Sequence, residues 1–411
     1  MRGAVDRPAA GSGARRRGHF RAGFATADIT PDPVEARVEL SGYVARHQPA
    51  TGLRDRLQAG VLALAVDDRP PVLVVGLDLC MLDPTAAGGI AAACPVPDED
   101  VLLACSHTHS APATYPLIGC GEPDPAYLRV LALGVGDAAR RALTSLCPCR
   151  LGWGRRVVDR PLWGNRRDAA GPADGRLHLL KLERAESDRA PICALWSVAC
   201  HPVVLGAESV RVSADFVGEV RARLPFPSLF LQGCCGDQNP LVRGEDGMGP
   251  WGAFAGEVST LWAVTPTAPS GPWGLAAAAV PLPRLVGDSL EGLPLGEDPV
   301  GRAMQAWAQR VAAPGGVVPP SGARLIAGRI GNGRIALWPG EPFVSLQLAL
   351  PPDTLAVGHA GASVGYVPDR QAYAHPGYEA GSAHRYYGFP SALAPEAGET
   401  LVAVTRELLG G

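Results

Sequence analysis

The feature that most limits what this chain can become is a series of short, wholly apolar runs, each closing on turn residues. They read VLALAV (61–66), PVLVVGLDL (71–79), VLLACS (101–106), LHLLKLE (177–183), ICALWSVAC (192–200) and SLFLQG (228–233). Three more follow: RLIAGRI (324–330), RIALWPG (334–340) and TLAVGHAG (354–361). Runs of this length without polar alternation predict central strands covered on both faces. Between them lie segments of helical periodicity at 125–146, 214–224, 250–264, 298–312 and 394–409. Pro125 and Pro395 suit first turns, and Gly410 and Gly411 suit a helix end. The alternation predicts an α/β fold, a mixed β-sheet core flanked by helices. The stretch 265–300, rich in Pro and Gly, reads as a linker or long loop within one domain spanning 20–411. GEDGMGPWG (244–252) reads as a mobile loop.

Composition narrows the function classes. Of 411 residues, 47% are hydrophobic and 19% charged, which supports a large core and excludes a mainly disordered chain. A net charge of -3 gives no electrostatic case for nucleic acid as a partner. The first twenty residues hold Arg15, Arg16 and Arg17 but no apolar segment of a secretory signal, so residues 1–19 read as a disordered tail. No apolar run reaches the ~18 residues of a membrane span. The ten cysteines form no CxxC pair and mostly sit in apolar runs. Reduced, buried thiols and a cytoplasmic location are expected. Oligomeric state is not legible.

The chemistry-bearing residues gather at strand ends. His107 and His109 in SHTHS follow an apolar run; two residues apart, they point to one side of an extended backbone. His201 in CHP, Glu341 in WPGEP and Tyr366 in GYVPD occupy similar places, as do Asp237 and Asn239 in QGCCGDQNP. Each has a plain structural alternative: a hydrogen-bonded His, a helix N-terminal carboxylate, a packed ring, an ordinary turn. Together, two imidazoles and a carboxylate make the ligand set of many catalytic zinc sites, with a position left for water. Manganese, iron and nickel also suit mixed N/O ligands.

The ordered set of motifs resembles the catalytic domain of the neutral/alkaline ceramidase family. The resemblance runs through AGFATADITP (22–31), LSGY (40–43), Gly52-Leu53, GLDLC (76–80), SHTHSAP (106–112) and GNRR (164–167). It continues through ACHPVV (199–204), SADFVG (213–218), GCCGDQNP (233–240), WPGE (338–341), GYVPD (365–369) and GYEAG (377–381). It implies a zinc hydrolase fold in which His107, His201, Glu341 and Tyr366 hold Zn2+ and His109 lies beside the metal as a proton-transfer group. It further implies that Arg166 contacts substrate and that Tyr378 and Glu379 lie near the pocket. The family's essential serine is missing: Asn239 stands where aligned prolines would put it. The chain also shows neither the signal sequence nor the immunoglobulin-like domain of secreted ceramidases.

The reading that follows is a zinc-dependent amidohydrolase. A metal-activated water attacks an N-acyl bond of a small-molecule amide, and His109 shuttles the proton. Arg166 and Asn239 hold the oxyanion, and Asp237 orients a ligand histidine. Alternatives keep the metal but perform acyl transfer, cyclisation or amide formation in a biosynthetic pathway. Others use Cys234 or Cys235 as a nucleophile, or make the chain a non-catalytic binding protein.

Overall fold

The first strand, Arg17–Asp28, is the seam of the molecule. In the computed structural model, which describes residues 17–33, 37–46, 48–287, 293–313 and 318–410, it pairs along its length with three others. Phe20–Asp28 form an antiparallel ladder with Gln58–Val66, Arg21 and Ala22 meet Pro148 and Cys147, and Arg17–His19 meet Ser270–Pro272. Twelve strands join through this seam into one sheet. From one edge the order is Ser228–Phe230, Pro191–Ser197, Arg176–Arg184, Cys147–Val157, the seam, Ser270–Pro281, Gly322–Ile330, Gly333–Leu337 and Thr354–Val357. Gln58–Val66, Val72–Leu77 and Val101–Cys105 branch from the seam.

The sheet folds so that inner faces meet. Leu62, Leu64, Leu180, Leu195, Leu229, Ile335 and Leu355 belong to one shared core. Helices cover the outer faces. Pro84–Ala93 and Pro125–Thr144 bury Ile90, Leu131 and Val135 against Val61, Leu73 and Leu103. Phe216–Arg221 and Glu245–Val264 cover Leu179 and Trp196, and Ala397–Leu409 covers Leu325 and Ala356. Apolar side chains on both faces therefore have partners, which is why these strands show no polar alternation. Asp83 and Asp124 cap the first two helices, each followed by a proline at the first helical position.

Three strand pairs in this sheet are parallel: Val72–Leu77 with Val101–Cys105, Pro191–Ser197 with Ser228–Phe230, and Gly333–Leu337 with Thr354–Val357. Each pair is joined through a helical crossover, Pro84–Ala93, Phe216–Arg221 and Val344–Leu348 respectively. In α/β proteins the carboxyl ends of such strands are where ligands bind.

Two expectations are corrected. The 265–300 stretch is no linker: Ser270–Pro281 is a strand that bridges the seam and Gly322–Ile330. Its alanines and glycines carry little strand propensity, so the ladder on either side imposes the conformation. GEDGMGPWG is no mobile loop but the start of helix Glu245–Val264. Glu245 and Asp246 favour the helix N-terminus, and Trp251 stacks on Phe216 at 3.9 Å, which outweighs the glycines and Pro250. The expected tail lies outside the described residues except for Arg17–His19, which are strand. Among the described residues no helix is long and apolar enough to cross a membrane.

One buried carboxylate fixes the chain around His201. Asp215, at φ 57° before helix Phe216–Arg221, accepts from the backbone N–H of Val204 (3.1 Å), Leu205 (2.9 Å) and Phe216 (2.8 Å). Burial raises its pKa from 3.8 to about 6 against those three bonds. An acid raised in the folded state contributes stability that is present below pH 3.8 and lost as pH rises through about 6. Wild-type stability relative to Asp215→Asn should therefore fall between pH 4 and 6, by about 3 kcal/mol. Urea unfolding of both proteins across that window measures it; parallel curves would refute the assignment.

Candidate metal centre

The carboxyl ends of the three parallel pairs converge on one buried point. His107 lies two residues beyond strand Val101–Cys105, at φ 70°, with its N–H on the Leu79 carbonyl at 2.9 Å. Its Nδ1 lies 2.8 Å from the Cys80 carbonyl. His201 follows strand Pro191–Ser197, and its backbone N–H and Nδ1 both meet the Gln238 carbonyl, at 3.0 and 2.9 Å. A carbonyl can only accept, so each Nδ1 carries a proton and each Nε2 is turned toward the carboxylate. Both Nε2 atoms lie 3.3 Å from Glu341 Oε2. Glu341 follows strand Gly333–Leu337, and its Oε1 accepts from the Tyr387 hydroxyl. The approach needs Gly340, at φ 68°: a Cβ there would lie 2.2 Å from the Gly365 carbonyl oxygen. It lets Glu341 pair with Tyr366 in a short parallel bridge.

All three side chains are buried. Burial disfavours charge on His107, but Glu341 and Cys80 outweigh it and raise its pKa to about 10. Burial and then Arg166 lower His201 to about 4. Against burial, His107 and His201 hold the Glu341 carboxyl well below the usual range. His201 Nε2 and Glu341 Oε2 have no hydrogen-bond partner among the described residues. Two lone pairs thus face each other across 3.3 Å in a dry interior, which is costly without a cation between them. Two imidazole nitrogens and a carboxylate oxygen fit zinc by donor type.

The His107–His109 spacing works differently from the extended-strand expectation. The strand ends at Cys105, and the positive φ of His107 swings the rings into edge contact, with Nε2 atoms 3.3 Å apart. His109 fits because Gly42, at φ 94°, leaves room: a Cβ there would lie 2.4 Å from the imidazole. Burial, then His107 and His201, hold the His109 pKa well below its usual value. The imidazole is neutral at pH 7.

A cavity of about 290 Å³ opens over the centre. His107, His109, Glu341 and Arg166 supply its polar groups; Tyr43, Tyr366, Tyr378, Tyr386 and Tyr387, with Met81 and Leu117, supply the rest. Arg166 donates to Glu379 at 2.8 Å and to the Tyr366 hydroxyl at 3.0 Å. Arg167 binds the other Glu379 oxygen at 2.7 Å. Glu379 sits in a π-helical turn, Gly377–Ser382, which also sets Tyr378 on the cavity wall, its ring 5.7 Å from Tyr366.

Asp237 and Asn239 stand elsewhere. Asp237 does not touch an imidazole: its carboxylate accepts from Asn165 (2.8 Å) and from the Val344 N–H (2.9 Å), while its carbonyl accepts from Arg166 N–H (2.8 Å). The residue that orients His201 is Gln238, through its carbonyl. Asn239 is absent from the cavity wall. With its amide turned to satisfy both neighbours, it accepts from Arg243 at 2.8 Å and donates to the Gln238 carbonyl at 3.3 Å. Gln238–Pro240 pairs with Trp163–Asn165, which seats Asn239 opposite Gly164. Cys234 and Cys235 are fully buried, and burial pushes both thiols well above their usual pKa, so neither offers a thiolate.

Three further groups escaped the sequence reading. Tyr387 binds Glu341, and Cys80 groups with His107 and His109. His359, in the TLAVGHAG run, groups with His107 and Glu341. His359 obeys the same strand-end rule as the rest, but in sequence it is enclosed in the apolar run TLAVGHAG.

Comparison with known proteins places the fold. No protein-family model matches the chain, and no curated protein matches it in sequence. Solved structures do. The neutral ceramidase from Pseudomonas aeruginosa superposes with a TM-score of 0.74 at 19% identity, over 96% of this chain and 76% of that one. A ceramidase complexed with C2 matches with a TM-score of 0.72 at 18% identity, over the same shares. The protein has a ceramidase-like fold: a mixed α/β sheet flanked by helices.

Because Asp237 ties Asn165, Val344 and Arg166 into the turn that carries the Gln238 carbonyl, Asp237→Ala should leave the fold intact and weaken zinc binding about tenfold. Competition with a chromophoric chelator reads this; an unchanged zinc affinity would show that the turn holds its place without the carboxylate.

Proposed function

We propose that the protein is a zinc-dependent hydrolase of N-acyl amide bonds in small, uncharged substrates. The observation that carries the reading is the Glu341 carboxylate shared by two imidazoles at the floor of a tyrosine-lined cavity, within a ceramidase-like fold. His107, His201 and Glu341 would hold the ion, with Tyr366, bridged to Glu341 through the backbone, as a fourth group. Zinc, when bound, lowers the pKa of a water to about 7 and polarises a carbonyl.

The remaining work falls to side chains of the cavity. His109, a neutral imidazole beside His107, takes a proton from the attacking water and returns it to the leaving nitrogen. Arg166 stabilises charge developing on the carbonyl oxygen. Glu379 fixes the guanidinium in the cavity wall, so no reorientation is needed as the charge forms. Asn239, bound to Arg243, has no part in this scheme. The cavity lies at the low end for a small-molecule pocket, which ordinarily spans about 300–1,000 Å³. Its charged groups are already paired with one another, and its rings offer apolar faces and hydroxyls. These features support a compact neutral amide.

Metal analysis and product analysis together test the reading. Wild type should carry about one zinc per chain and His201→Ala very little. Incubation with N-acyl amides should add the mass of one water to the substrate in total products, and Arg166→Met should lower kcat by roughly two to three orders of magnitude. Products lighter than substrate by one water would mean cyclisation instead. Metal-free wild type after zinc re-addition would end the proposal.

A further inference from the structure

The cavity over the centre has two unlike sides. Its rim is open: Ala45 is exposed, and Tyr378 is 45% exposed. Its inner side is apolar and shut. Met81, Leu117, Cys120 and Tyr387 line it and are all buried. Tyr115 and Phe389 pack in the same cluster without reaching the cavity, so they form a second layer behind the wall. Phe389 stacks on Tyr387 with ring centroids 5.9 Å apart, and Tyr115 meets that ring edge-on at 5.6 Å.

The wall has nowhere to retreat. The Leu117 N–H binds the Tyr115 carbonyl at 2.8 Å, and the Cys120 N–H binds the Leu117 carbonyl at 3.0 Å. Between them, the Ile118 N–H binds the Tyr386 carbonyl at 2.8 Å. The Ile118 side chain packs on Ala303, Met304 and Trp307 of helix Pro299–Ala312. Gly119, at φ 78°, shows how tight the fit is: a Cβ there would lie 3.0 Å from Val44 and 3.2 Å from Ala303. The Met81 carbonyl accepts from the Thr114 hydroxyl at 2.5 Å. Extra methylenes forced into such packing must displace side chains and backbone together.

Size then limits what fits. A water-sized group takes about 30 Å³ of liquid volume, so the cavity of about 290 Å³ holds roughly ten. The amide carbon, oxygen and nitrogen with the attacking water use about four of these, which leaves about six. His109 sets the direction of the amide. In the scheme above it returns a proton to the leaving nitrogen. Its ring stands 4.9 Å from that of Tyr43, on the 42–45 side that opens outward. The amine therefore lies toward the rim and the acyl group toward Met81 and Leu117.

We propose that the substrates are N-acyl amides of short carboxylic acids, with acyl groups of no more than about six carbons. Met81, Leu117 and Cys120 set that limit, while the amine tolerates length because it faces the rim. The proposal rests on the amide-hydrolase reading and names the substrate class of that same site.

Two substrate series on the zinc-loaded full chain test it. One varies the acyl group on a single arylamine from acetyl through butanoyl, hexanoyl and octanoyl to hexadecanoyl. The other keeps acetyl and lengthens the amine. Alkyl hydroxamates of the same acyl lengths, which chelate zinc without turning over, are titrated by calorimetry. Both kcat/KM and hydroxamate affinity should rise toward hexanoyl and then fall at least ~10-fold by hexadecanoyl, with no such break in the amine series. Leu117→Ala should move the break outward by about two to three carbons. Leu117→Val, with a smaller shift, takes its place if the alanine variant does not fold. Acyl profiles that climb through hexadecanoyl, a break in the amine series instead, or a break that the Leu117 variant leaves in place would each overturn the proposal and leave the hydrolase reading standing. Hydroxamates that show the break while no amide is hydrolysed end the hydrolase reading, and the substrate class with it. Neither binding nor hydrolysis overturns both.

Discussion

The centre of this molecule is organised by a single buried carboxylate. Glu341 sits between two imidazoles whose other nitrogens are tied to backbone carbonyls, so neither ring can turn away. Each tie leads back to a different loop: Cys80 after one strand, Gln238 after another. Tyr387 holds the second carboxylate oxygen, and the glycine before Glu341 lets two loops press together. Removing charge from Glu341 would leave the imidazoles facing an empty polar pocket.

Much of this was legible in the sequence because the physics is local. A strand covered on both faces must be apolar throughout, so its end is marked by the first polar residue. The candidate metal-binding residues stand just past such ends: His107, His201 and Glu341 each lie within four residues of a strand end. The ceramidase-like fold was legible from the order of the motifs, since the solved structures share only 18–19% identity with this chain.

What was not legible depends on tertiary context. Ser270–Pro281 is a strand because two neighbours hydrogen-bond to it, and nothing in its alanines announces that. Residues 245–252 are helical because Trp251 finds Phe216, a partner far away in sequence. The place of Asn239 depends on the ladder of Gln238–Pro240 with Trp163–Asn165, and that of Asp237 on its bonds to Asn165 and Val344. Their types suggested chemistry, yet neither lines the cavity. His359 was hidden for the opposite reason: it was legible as a strand-end residue but lay one glycine beyond an apolar run that had absorbed it.

The three parallel pairs have one more consequence. His107, His201 and Glu341 come from three separate strand–helix–strand units, and no unit supplies two of them. A nascent chain that has finished one unit, or even two, has no complete chelate to offer. A cation held by all three would be captured only once the three units have come together. Its loading would then report completed topology, and partly folded chains would compete poorly for it.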